Sequence, residues 1–285
     1  MDLPWQAGVR ARLSAAMDDG RLPHAIVVSG YPGWGDSELC GWLALRLLGA
    51  DSSVEAERLA HPDFRWVAPE GGSIKVERIR ALAEFAPGTP QIAGAKVAVI
   101  ESAHSMNVNA QNALLKTLEE PPGSMFLILG SDSAGSLAPT VLSRCQTFTI
   151  PRADAAAADW LREPAAKALL DDYDGAPLQA LTGAEAGERP MAELLRDLAA
   201  GRPVLDEMLG LDASRLGARW MRWLVRALAD EPEPPERPEL NRRRAFAFAD
   251  ELTRFHDQVN RSSGANVRLL LERLCYQWQW LVQPR

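Results

Sequence analysis

Cysteine and histidine are scarce in this sequence. Its 285 residues hold three cysteines, Cys40, Cys145 and Cys275, and four histidines, His24, His61, His104 and His256, none of them clustered. An odd, scattered set of thiols draws no disulfide framework, and no Cys-x-x-Cys pair offers a zinc site, so reduced thiols and no metal are expected. Long apolar runs are missing too. None approaches the ~18 residues of a membrane span, and Met1-Asp2-Leu3-Pro4-Trp5 lacks the basic stretch and apolar core of a signal peptide. The expectation is a cytoplasmic chain with no membrane contact. The third absence is an excess of basic charge: 31 Lys and Arg face 38 Asp and Glu, a net charge of −7. Stand-alone, salt-driven binding to nucleic acid rests on many Lys and Arg contacts to phosphate and is disfavoured here. If DNA is involved, partners supply most of the basic surface. Arg242-Arg243-Arg244 does not alter this, because three adjacent arginines splay around a helix.

What is present is an ordinary globular composition, 47% apolar and 24% charged, sized for two or three domains. The first half alternates short β-type runs with helical patterns, the sign of a parallel sheet covered by helices. Strands are expected at 25–29, 64–67, 96–101, 126–129 and 147–150. Helices are expected at 37–48, on a face made by Val76, Ile79, Leu82, Ala83 and Ala86, and at 107–119, stopped by Pro121-Pro122. After Pro151 the periodicity is helical throughout. Gly201 and Pro203 bracket a break, and Glu231 to Glu239, rich in proline, reads as a stiff solvated connection. Trp220, Trp223 and Trp278 lie on apolar helical faces and read as core or subunit contact.

Strand, glycine-rich turn and helix form the arrangement of a phosphate-binding loop, where backbone N–H groups and a helix N-terminus face the phosphates. Gly30-x4-Gly35-Asp36-Ser37 matches Gly-x4-Gly-Lys-Ser/Thr except at Asp36. The missing lysine normally neutralises the β- and γ-phosphates, and a carboxylate there sets negative charge against negative charge. Such a turn alone is more often a plain strand-to-helix connection, so other elements must decide. A hydrolytic site also needs carboxylates at the end of a neighbouring strand, one to organise Mg²⁺ and one to activate water. The run Val99-Ile100-Glu101-Ser102 keeps one acid, Glu101, and holds Ser102 at the base position. Two defects in one pocket point to a chain without intrinsic ATPase. Trp34, inside the turn, is a candidate to fill the vacated space. Arg144, judged alone, is an arginine before a strand that pairs with a carboxylate; Cys145 reads as a small packing residue.

Several segments together carry a resemblance: His61-Pro62-Asp63-Phe64, Ser73-Ile74-Lys75-Val76, Thr89-Pro90-Gln91, the run from Asn109 through Asn112-Ala113-Leu114-Leu115-Lys116-Thr117-Leu118-Glu119-Glu120 to Pro122, and Ser143-Arg144-Cys145-Gln146. On these the chain resembles the delta-prime family of the bacterial DNA polymerase III clamp loader, in the AAA+ class. The resemblance is dense from about Leu22 to Ile150. It implies an α/β AAA+ P-loop core, a parallel sheet with helices on both faces, at 1–151, a small helical lid at 152–202 and a helical collar for oligomerisation at 203–285. It also implies a catalytically silent component of the polymerase holoenzyme with no cofactor of its own, ATP being bound by partner subunits. Those partners would be motor subunits of gamma/tau type and a delta-type subunit, with the sliding clamp and primed DNA reached through the complex. Arg144 would act in trans as an arginine finger in a neighbour's ATP site, a task that suits a planar, permanently charged guanidinium. Members commonly carry a cysteine zinc module before the His-Pro-Asp segment, but 49–60 holds no cysteine. The alternative is an active P-loop ATPase, such as a motor-type subunit or helicase loader, drawing a lysine from Lys75 or Lys96.

Overall fold

Continuous apolar runs such as Ile26-Val27-Val28 and Val97-Ala98-Val99-Ile100 suit strands buried on both faces, the condition of a parallel sheet. In the computed structural model, which describes residues 1–121, 123–132, 134–229, 240–261 and 265–282, they form that sheet. The Glu231 to Glu239 connection lies outside the described residues. Contacts divide the chain into two compact units, Met1–Trp160 and Leu161–Arg285.

The first unit runs α1 (Ala7–Asp18), β1 (Ala25–Ser29), α2 (Asp36–Leu48), β2 (Phe64–Val67), α3 (Val76–Phe85), β3 (Lys96–Ile100), α4 (Val108–Glu119), β4 (Met125–Ser131), α5 (Pro139–Leu142), β5 (Gln146–Thr149) and α6 (Asp154–Trp160). The five strands are all parallel in the order β2-β3-β4-β1-β5. Side chains alternate across the sheet. Ala25, Val27, Ala98, Ile100, Leu127 and Leu129 meet Ile79 and Leu82 of α3 and Leu114 and Leu118 of α4 in one core, while α2 covers the opposite face. Asn107 caps α4, its side-chain oxygen accepting from the Ala110 N–H at 2.8 Å. The helix ends at Glu119, as expected of a chain entering Pro121.

Two segments that carry the family resemblance meet in this unit. Asp63 accepts from the backbone N–H groups of Gln91, Ile92 and Ala93 at 2.7, 2.7 and 2.9 Å, pinning the loop that follows Thr89-Pro90. Burial alone would raise this carboxyl, but the three donors bring it down to about 2.

The second unit is helical among its described residues: α7 (Pro164–Leu169), α8 (Pro177–Glu185), α9 (Met191–Ala199), α10 (Leu205–Leu209), α11 (Ala213–Leu228), α12 (Arg242–Arg261) and α13 (Val267–Val282). Leu194, Leu195 and Leu198 of α9 share one core with Trp220, Trp223 and Leu224 of α11, Phe248 and Leu252 of α12 and Leu274 and Trp278 of α13. The rings of Trp220 and Trp223 stand edge-on to Trp278 at 5.9 and 5.3 Å, so these tryptophans are core. Arg219 is buried to 1% exposure within this unit, paired with Asp172 at 2.8 Å and with Glu188. It also donates to the Arg189 carbonyl, while Tyr173 donates its hydroxyl to Glu188.

Candidate functional site

In open α/β sheets the ligand crevice lies beyond the carboxyl ends of the strands, and the glycine-rich turn emerges there from β1. Gly30 is anchored by its N–H to the Ser131 carbonyl at the end of β4, 3.1 Å away. Gly35 has φ of 89°, and a Cβ there would stand 2.6 Å from Gln6 Nε2 and from Leu3 Cδ1, so only glycine fits. The reason is a strap formed by the segment before α1. Trp5 Nε1 and Gln6 Nε2 donate to the Trp34 carbonyl at 2.9 and 3.2 Å, and Gln6 Nε2 also reaches the Gly35 carbonyl at 2.6 Å. The buried Trp34 ring packs edge-on to Trp5 at 5.5 Å, and Trp5 in turn packs edge-on to Trp160 at 5.4 Å.

Asp36 opens α2, the helix end that favours an anion. A phosphate would be drawn to the same helix end, and here the first turn already carries a carboxylate. Burial pushes the Asp36 carboxyl up to about 6, with Glu38, Asp132 and Glu101 adding like-charge repulsion. Its Oδ2 would lie 3.4 Å from a Cβ at Gly130, so the glycine in β4 makes room for it. Burial likewise raises Glu38 and the Cys40 thiol beside it.

Ser37 of the degenerate loop and Glu101, the one acid kept after β3, are brought together directly. Ser37 Oγ donates to one Glu101 oxygen at 2.9 Å and Trp66 Nε1 to the other at 3.0 Å. Ser102 follows with φ of 48°, the left-handed region, and begins the short turn Ala103–Ser105. That turn delivers His104, whose Nδ1 lies 3.0 Å from Asp132 Oδ1 and 3.5 Å from Ser131 Oγ. Among the described residues no three His, Cys, Asp or Glu side chains converge as a metal site.

The lysines of the alternative reading sit elsewhere. Lys96 begins β3, in register with Met125 at the start of β4, so it stands at the end of the sheet opposite the glycine turn. Its ammonium donates to the carbonyls of Phe85 and Pro87 at 2.9 and 2.6 Å. Lys75 is exposed at the start of α3.

Arg144 lies just beyond α5. One terminal nitrogen meets Glu119, the last residue of α4, at 2.6 Å; the other donates to the Thr140 carbonyl at 2.8 Å and to Ser143 Oγ at 3.2 Å. The Arg144 side chain remains 34% exposed. Cys145 beside it is half-buried against the core, and burial raises its thiol to about 11, which leaves it unreactive at neutral pH.

The strand order, the glycine turn after β1 and the helix it opens define an AAA+ P-loop core, here with a carboxylate in the place of the phosphate-binding lysine. The family model described as DNA polymerase III, delta subunit, matches residues 5–154. The chain is 31% identical to DNA polymerase III subunit delta-prime of Pseudomonas aeruginosa, across 99% of this chain and 98% of that one. It is 32% identical to the Escherichia coli subunit delta-prime, over 55% of this chain and 52% of that protein. The chain belongs to the DNA polymerase III delta-prime family. A solved structure of a gamma subunit-related protein of DNA polymerase III from Thermotoga maritima shares the fold, with a TM-score of 0.60 at 17% identity over 95% of this chain and 99% of that one. Among the described residues no helix is long and apolar enough to cross a membrane.

Proposed function

We propose that this chain is a catalytically silent subunit of the DNA polymerase III clamp loader. It assembles with motor subunits of gamma/tau type and a delta-type subunit, and through them helps place the sliding clamp on primed DNA. Its own pocket takes no ATP, and Arg144 serves the ATP site of a neighbour. The single observation that carries the silent role is Asp36 at the head of α2, a half-buried carboxylate that feels like-charge repulsion from Glu38, Asp132 and Glu101, at the helix end where a P-loop gathers phosphate. Glu101 supports the same reading, since Ser37 and Trp66 already occupy both of its oxygens. Assembly is supported by an exposed stripe on α13: Leu269, Tyr276 and Trp280, spaced for one helical face, are 61, 73 and 54% exposed.

The test is reconstitution. Purified full-length chain mixed with gamma/tau-type and delta-type subunits of the same cell is expected to co-elute with them as one stable complex on size exclusion. Separate elution at micromolar concentration would contradict the reading.

A further inference from the structure

Glu119 is out of place by helix electrostatics. It is the last residue of α4, where unsatisfied carbonyls carry negative partial charge and a carboxylate is unfavourable. What it does there is hold Arg144, at 2.6 Å. We propose that Glu119 is a positioning residue that keeps Arg144 withdrawn until a neighbour's nucleotide draws the guanidinium away; this rests on Arg144 being a finger.

The geometry gives a competition between anions. A guanidinium meets phosphate through the same planar fork that it offers a carboxylate. In this chain both terminal nitrogens are engaged internally, one by Glu119 and the other by the Thr140 carbonyl and Ser143 Oγ. A γ-phosphate oxygen therefore has to displace Glu119 to take the fork. The latch is weak enough to open, because Arg144 and Glu119 are 34% and 50% exposed and half-solvated ion pairs contribute little. Nor does the fold depend on it. Gln111 Oε1 separately ties α4 to the start of α5, accepting from the Ala138 N–H at 2.7 Å.

The test uses the complex reconstituted with its ATP-hydrolysing subunits. Glu119→Gln keeps the shape and removes the charge. It is expected to raise single-turnover hydrolysis at the neighbouring site, measured without clamp or DNA, by about two- to five-fold, the scale of a half-exposed ion pair, and bulk turnover by less. Glu119→Asp, with the charge on a shorter arm, is expected to fall between that variant and the unsubstituted complex. In an Arg144→Ala background Glu119→Gln is expected to change nothing, since no finger is left to release. If Arg144→Ala lowers turnover but Glu119→Gln leaves it level or lowers it, the finger stands and the latch is overturned. If Arg144→Ala leaves turnover unchanged in a fully assembled complex, the finger reading fails and the latch fails with it.

Discussion

Arg144→Ala is expected to leave the chain folded and the complex assembled while hydrolysis collapses at one neighbouring site. Fingers of this kind are worth about 10³ to 10⁵ in rate in the GTPases where they are best quantified. Bulk ATPase should fall much less, because the other sites keep their own fingers, whereas clamp loading, which needs the sites to act together, should fall further than bulk hydrolysis. The cost to the isolated chain should be small: the pair with Glu119 is half-exposed, and such pairs contribute about 1 kcal/mol or less. Arg144→Lys keeps the charge but loses the planar fork, so partial rescue is expected. A purely structural arginine gives the opposite pattern, a lowered melting temperature with hydrolysis unchanged at matched complex concentration. Single-turnover hydrolysis and thermal melting on the same variant separate the two.

The second large effect belongs to the helical unit. Arg219→Met is expected to destabilise it by about 3 to 5 kcal/mol, because it strands two carboxylates in the interior without their cation. Burial already raises the Asp172 carboxyl, and Arg219 opposes that rise. With Arg219 gone the folded value climbs further above the unfolded one. A raised carboxyl contributes stability at low pH that is lost as pH rises through its folded value, so the variant should lose more at pH 8 than at pH 5. Urea unfolding at the two pH values checks this, and a loss under about 1 kcal/mol at both would contradict the buried-pair account.

The sheet was legible because fully buried parallel strands announce themselves as unbroken apolar runs. The expected strands at 25–29 and 64–67 coincide with β1 and β2, and the others shift by a residue or two at their ends, except β4, which extends to Ser131. Gly30, Gly35, Asp36 and Ser37 follow β1, Glu101 and Ser102 follow β3, and Ser37 donates to Glu101 at 2.9 Å, a pairing that a reader of strand ends could anticipate. The strap was not legible. Trp5 and Gln6 bond to carbonyls of Trp34 and Gly35, nearly thirty positions away, and neither residue type signals that partnership. Asp132 and His104 escaped for a similar reason: they meet only when the turn after β3 and the end of β4 are adjacent in space. Arg219 did leave a trace. It lies three residues after Leu216 and four before Trp223, on the apolar face of α11, where a charge demands a buried partner.

The central claim, that the chain's own nucleotide pocket is silent, is tested most directly by titrating the isolated full-length protein with Mg-ATP in a calorimeter. The account expects no resolvable heat and no turnover, because a phosphate entering at α2 meets the Asp36 carboxylate and finds no lysine. Micromolar binding accompanied by hydrolysis would contradict it.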